Sequence, residues 1–390
     1  MESISIYPPT LDGKNIEQKR QEILKYFNNT YELFEKIFEL LENDKVFYKK
    51  SEPTRHPMIF YFGHTATFFI NKLILMKIID KRVDANFESI FAIGVDEMEW
   101  DDVNSKNYSW PKVEEVRRYR NIVKKIVQDL ICKLEFELPI KQNSAMWIIL
   151  MGIEHERIHI ETSLVLHRQM PLQFIKNIKE LNICTHSSKS PKNDMVKISS
   201  QAVKLGKNIN HNLYGWDNEY GVYKESVNEF KVSKYLVSNA EFMEFVENNG
   251  YEREEFWDED GLKYLKNTNA KHPVFWILKD GVYKYRAISQ IIDMPLDWPV
   301  DVNALEAQAF CKYKSKIDGV TYMLPSEAEY RAIYEQTNIE DLPDFDQNRA
   351  NLNFYHYASS SPVNEFAFHT KNGEVIYDVV GNVWQWSRTF

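Results

Sequence analysis

In the first 170 residues apolar side chains recur at helical spacing. Ile16, Ile23, Tyr26, Phe27, Tyr31, Phe34 and Phe38 follow one another mostly at three- and four-residue steps, which predicts an amphipathic helix over residues 15–42. A second, more uniformly apolar helix is predicted over 57–80, just after the turn signal Glu52-Pro53. A third spans 112–135. Trp110-Pro111 opens it, and Glu114 and Glu115 sit in its first turn, where acids suit the helix dipole. The fourth covers 143–169 and stops near Pro171. Four long helices joined by loops predict a four-helix bundle over residues 15–180.

Beyond Pro171 the pattern breaks into short pieces. The polar, Pro-containing run 186–195 predicts a linker over 181–195. Residues 203–205 and 230–232 read as strands, and 240–247 and 304–313 as short helices, with many Gly, Asn and Asp residues between them. This texture predicts an irregular α+β domain over 196–390. The chain ends soon after Gly381-Asn382-Val383-Trp384-Gln385-Trp386, with no polar tail, so this second domain is expected to be incomplete.

Composition narrows the function classes. The 390 residues are 44% hydrophobic and 14% aromatic, enough for sizeable cores, and length alone predicts more than one domain. A formal net charge of −9 disfavours a general nucleic-acid binder, which needs clustered Lys and Arg. Arg117 and Arg118, beside Glu114 and Glu115, read as a solvated face. Cys132, Cys184 and Cys311 are far apart and form no paired motif, against a disulfide framework. The first ten residues lack the basic and apolar regions of a signal peptide, and the longest apolar run, 145–153, falls short of the ~20 residues that span a bilayer. The expectation is a cytoplasmic protein with no membrane partner.

The candidate chemistry lies on the fourth helix. In Glu154-His155-Glu156-Arg157-Ile158-His159-Ile160-Glu161, the two histidines stand one turn apart and share a face. Two imidazoles so placed can hold one metal. The alternative is one core and one surface histidine. A third ligand must come from another helix. His64, among Phe60, Phe62, Phe68 and Phe69, is the candidate, with His56 as rival just before Pro57. Three neutral imidazoles suit iron, zinc, copper and nickel alike. Residues 155–159 also spell the H-E-x-x-H zinc-peptidase motif, with Glu156 as general base. The longer metzincin form needs Gly and His where this chain has Thr162 and Val165. His167 or His186 could still complete such a site.

Two groups of motifs resemble one known family. Arg55-His56-Pro57, the segment Phe60-Tyr61-Phe62-Gly63-His64-Thr65-Ala66, the segment Phe91-Ala92-Ile93-Gly94-Val95-Asp96-Glu97-Met98 and the helix around His155 resemble the 5-histidylcysteine sulfoxide synthases of ovothiol biosynthesis. The ergothioneine-pathway sulfoxide synthases are close relatives. Their first domain is a DinB-like four-helix bundle. In the second half, Gly215-Trp216-Asp217-Asn218-Glu219, Val237-Ser238-Asn239-Ala240-Glu241-Phe242, Leu324-Pro325-Ser326-Glu327-Ala328-Glu329-Tyr330 and the Gly381 motif resemble the formylglycine-generating-enzyme fold, related to C-type lectins.

The resemblance implies Fe(II) on His64, His155 and His159, with Glu161 as a nearby acidic neighbour. It implies a reaction of oxygen that joins the sulfur of cysteine to the imidazole of histidine. The acidic stretch with Asp96, Glu97, Asp101 and Asp102 would favour the ammonium of free cysteine over γ-glutamylcysteine. Ile158 stands where the ergothioneine branch tends to carry a polar residue. Family members continue past the Gly381 motif, so the resemblance implies either that this chain is a fragment or that its partner is a separately encoded C-terminal portion or a methyltransferase. The rivals are an ergothioneine-type synthase, a DinB-like metal-dependent thiol transferase, and a binding module without catalysis.

Overall fold

A computed structural model describes residues 4–92, 108–340 and 346–389. The acidic positions Asp96, Glu97, Asp101 and Asp102 lie outside them. The chain forms two compact units, Met1–Glu180 with Asn210–Asp217, and Leu181–Ile209 with Asn218–Phe390.

The first unit is a four-helix bundle. Helix α1 (Ile16–Phe38) starts where the Asn15 side chain accepts the backbone N–H of Gln18. Its apolar stripe, from Ile23 to Phe38, is buried. It ends four residues before the predicted limit, because Leu40 and Leu41 leave the helix to pair with Ile175 and Lys176. Helix α2 (Met58–Leu75) is buried over most of its length. Its length and hydropathy would suit a membrane span, yet its apolar surface is covered within this unit. It stops at Lys77, which takes φ of 56°, while the Ile78 N–H returns to the Leu73 carbonyl. A short helix α3 (Ala85–Ile90), capped by Asp84, precedes α4 (Val113–Lys133) and α5 (Ala145–Gln169). Each of α1 and α2 packs on both α4 and α5. The α2–α5 approach is close: a Cβ on Gly152 would stand 2.2 Å from the Phe69 ring.

The second unit is α+β, as its texture predicted. Its described strands pair antiparallel: β1 (Met195–Ile198) with β4 (Phe230–Ser233), β2 (Gln201–Leu205) with β3 (Tyr223–Val227), β5 (Trp276–Lys279) with β6 (Val282–Arg286) and then β7 (Ile291–Asp293), and β8 (Ala367–His369) with β9 (Val375–Tyr377). Three helices open on reciprocal capping boxes: α6 (Asn239–Glu247) on Ser238 and Glu241, α8 (Ala304–Asp318) on Asn303 and Glu306, and α9 (Glu327–Gln336) on Ser326 and Glu329. The remaining helix, α7 (Glu259–Thr268), is capped by Asp258. One core gathers Trp276, Trp298, Tyr285, Phe242 and Phe310; a second gathers Val196, Ile198, Val203, Phe368 and Ile376.

The segment expected as a linker is bonded into this unit. Asp297, fully buried, accepts from the Ser187 hydroxyl at 2.5 Å and the Ser188 N–H at 2.7 Å. Ser190 donates to Ser238, and the Trp298 indole N–H to the carbonyl of His186. Polar composition gave it the look of a tether, but Ser187, Ser188, Ser190 and Asn193 have fixed partners.

Candidate metal centre

Helix α2 carries His64 and α5 carries His155 and His159. Helical spacing stacks the α5 pair one turn apart, and the tight α2–α5 packing at Gly152 brings His64 against them. The ring centroids lie 5.0 Å (64–155), 4.8 Å (64–159) and 4.6 Å (155–159) apart. Nε2 of His64 is 3.3 Å from Nε2 of His155, and one nitrogen from each of the three rings falls within 4.8 Å of the others. His64 and His155 are buried and His159 is half-buried.

The protonation pattern of His64 follows from its neighbour. Its Nδ1 stands 2.6 Å from the carbonyl oxygen of Phe91. A carbonyl only accepts, so Nδ1 carries the proton and the neutral ring turns the lone pair of Nε2 toward His155. Phe91 reaches this position because residue 63 is glycine: a Cβ there would lie 2.7 Å from the Phe91 ring. Phe60 lies parallel to His64 at 5.2 Å, and Phe68 stacks on His155 at 3.7 Å. In this apolar wall the charged forms are costly. Burial, then the neighbouring rings, hold His155 well below the usual imidazole range; burial and His64 hold His159 down to about 3. At neutral pH both offer lone pairs. The Nδ1 atoms of His155 and His159 are buried with no hydrogen-bond partner.

This donor set fits a first-row divalent metal. Two imidazole nitrogens bound at about 2.0–2.1 Å, at angles between octahedral and tetrahedral, are separated by about 2.9–3.4 Å. The His64–His155 separation lies inside that range. The hydrogen bond from His64 Nδ1 to a carbonyl is the usual outer partner of a metal-ligating histidine; Nδ1 of His155 and His159 has none.

The other sequence-predicted positions fall elsewhere. Glu156 points away from the cluster. It is fully buried, 2.9 Å from Arg120 Nη2, and accepts from the Thr65 hydroxyl at 3.0 Å. So paired, it does not serve as the general base that the peptidase motif requires. His56 is buried against Phe60 and Trp110, outside the cluster. His167 lies in the core, where its Nδ1–H donates to the Ser163 carbonyl. Glu161 is exposed on α5, and Ile158 is 43% exposed.

The roles of two neighbours, Phe91 and Arg120, were not read from the sequence, although Phe91 opens one of the family-like segments. Arg120 is fully buried on α4 and donates to Glu35, the Phe62 carbonyl, Thr65 and Glu156. It thereby ties α2 and α5 together one residue from His64 and one from His155. Its signal was present: Val116, Arg120, Val123 and Val127 form one stripe at helical spacing, a charge on a core face.

Residues 183–390 match the sulfatase-modifying factor enzyme 1-like domain. The chain belongs to that family. Ahead of this sulfatase-modifying-factor-like domain, residues 26–163 match the DinB superfamily, so the bundle is DinB-like. Among curated proteins, the chain is similar to ergothioneine biosynthesis protein 1 of Schizosaccharomyces pombe, 24% identical over 76% of this chain and 39% of the relative. It is also similar to the Neurospora crassa protein of the same name, 26% identical over 72% of this chain and 34% of the relative. Hercynine oxygenase of Mycobacterium tuberculosis is 27% identical over 29% of this chain and 25% of its own length. The chain thus spans roughly a third to two fifths of the two fungal relatives.

Proposed function

We propose that this chain carries the iron-binding and substrate-binding parts of an oxygen-dependent sulfoxide synthase that joins a thiol sulfur to the imidazole ring of histidine. The convergence of three neutral imidazoles from α2 and α5 carries the reading. The names of the relatives, one an oxygenase of hercynine and two of ergothioneine biosynthesis, support the reaction class.

His64, His155 and His159 would hold Fe(II). When bound there, the ion would supply the redox chemistry that lets oxygen react and the charge that keeps a thiol as thiolate. Phe91 keeps the His64 lone pair directed inward. Phe60 and Phe68 limit water around the rings. Arg120, through Thr65 and Glu156, sets the register of the two helices that bring the three rings together.

Within this class we favour the ovothiol-type reaction, cysteine with histidine giving 5-histidylcysteine sulfoxide, over the ergothioneine type. The acidic composition of residues 96–102 supports that choice, since it suits an ammonium group better than a second carboxylate. The deciding assay loads the chain anaerobically with Fe(II) and then admits oxygen. Oxygen uptake that needs both cysteine and histidine, with a sulfoxide conjugate by mass spectrometry, is the expected result. Uptake with hercynine and γ-glutamylcysteine instead would assign the ergothioneine type. Zinc retained at one equivalent with no thiol-dependent uptake would refute the oxidative reading and favour a thiol transferase.

A further inference from the structure

The second unit holds another cluster of ligand-type side chains, Cys184, His186 and Glu365, with one donor atom from each within 4.8 Å of the others. Cys184 and His186 lie on the segment leading into β1, and Glu365 on the segment leading into β8. The sulfur is 3.8 Å from Nε2 of His186 and 3.4 Å from its Nδ1, and Nε2 is 3.4 Å from Oε2 of Glu365. A tetrahedral zinc ion bound through Nε2, with bonds of about 2.3 Å to sulfur and about 2.0–2.1 Å to nitrogen and oxygen, sets the two Nε2 separations at about 3.6 and 3.3 Å. Both observed values lie within about 0.2 Å of that geometry.

The backbone around the cluster is anchored. Ala358 donates to the carbonyl of Asn182 at 2.6 Å, the Cys184 N–H to the Ser359 hydroxyl at 2.9 Å, and Trp298 to the carbonyl of His186 at 3.1 Å. Tyr357 donates to the other oxygen of Glu365 at 3.2 Å, which leaves Oε2 turned to the imidazole. Outer hydrogen bonds of this kind orient metal-binding carboxylates. Oε2 itself is buried without a hydrogen-bond partner. The sulfur is buried, whereas the His186 side chain is 55% exposed and the Glu365 side chain 24%, which gives an ion a path in from solvent.

We propose that Cys184, His186 and Glu365 form a second metal site, separate from the three histidines, that takes a thiophilic divalent ion of the zinc class through one sulfur, one nitrogen and one oxygen. Three protein donors leave one position of a tetrahedron for water or an exogenous ligand. A thiol must lose its proton to bind the ion, so affinity rises with pH. The ion would clamp the entry segment of this unit onto the loop before β8.

Titration of the full, reduced, metal-free chain with Co²⁺ under anaerobic conditions tests this. A sulfur-to-cobalt charge-transfer band in the near ultraviolet, saturating by two equivalents at the intensity of a single thiolate ligand, is expected, because the three-histidine centre also takes cobalt but has no sulfur. The band should vanish in C184S and survive in C132S, C311S and H155Q. H186Q, at an exposed position that tolerates change, and E365Q should each weaken the cobalt affinity read from the band about 10-fold or more. Absence of the band in the unaltered chain overturns the site, as does its survival in C184S. If C184S does not fold, unchanged affinity in both H186Q and E365Q overturns it equally.

Discussion

Arg120 and Glu156 meet at 2.9 Å with neither side chain exposed to solvent. The pair lies one residue from His155 on α5 and, through Thr65, one residue from His64 on α2. Removing Arg120 leaves Glu156 an uncompensated buried charge, whereas Arg120 without Glu156 still has Glu35. Arg120→Met is therefore expected to destabilise the helical unit by about 3–5 kcal/mol, and adding Glu156→Leu to restore much of that loss. Urea unfolding followed by far-ultraviolet circular dichroism checks it. A double variant no more stable than the single would show that Glu156 is not left as an uncompensated charge.

Gly63→Ala is expected to act on the metal through Phe91. The added methyl meets the Phe91 ring at 2.7 Å, so the ring and its carbonyl must shift and the hydrogen bond from His64 weakens. Affinity for Fe(II) should drop about 10- to 100-fold, the usual effect of losing an outer-shell partner, with about 1–3 kcal/mol of overpacking. Calorimetric titration with Fe(II) and thermal unfolding read the two effects separately.

His155→Leu should separate stability from metal binding. The buried Nδ1 of His155 has no partner, and a buried polar atom in that state costs about 1–3 kcal/mol. In the metal-free protein the leucine variant is expected to unfold at equal or higher temperature than the unaltered chain. With Fe(II) present the order should reverse, because only the unaltered chain gains from binding. A metal-free variant that melts lower would indicate a purely structural role for this ring.

His167 supplies a pH dependence away from the metal. Burial holds it down to about 4, well below the usual imidazole range. The folded ring stays neutral while the unfolded ring takes a proton below about 6.5, so its own contribution to stability falls as pH drops from about 6.5 to 4 and is constant below, with His155 and His159 adding to the loss in the metal-free protein. A shift of this size corresponds to about 3 kcal/mol. Unfolding of the metal-free protein from pH 7.5 to 4.5 should show the loss, and His167→Phe should flatten the slope. Equal slopes in both proteins would assign the acid sensitivity to other groups.

Much of the fold was legible in the chain because it depends on local spacing. Three- and four-residue apolar steps marked the four bundle helices, and the pair His155 and His159 shares a face by helix geometry alone. The Ser–x–x–Glu starts of α6 and α9 lie inside the segments Val237–Phe242 and Leu324–Tyr330, where the capping box is a local signal for a helix start. The helix limits were less legible. Leu40 and Leu41 continue the apolar run of α1 but pair with another segment, and no local rule anticipates that partner.

The sequence by itself determined that His155 and His159 share one helix face, because a helical turn is a short-range property. Only the tertiary structure decided that His64 rather than His56 meets the α5 pair, that Phe91 sets its tautomer, and that Glu156 answers to Arg120. It also decided that Cys184, His186 and Glu365, spread over 180 positions, share one point in space. Those facts depend on contacts between residues remote in the chain, where side-chain volume at Gly63 and Gly152 and the pairing of buried charges select one arrangement, and spacing carries no record of it.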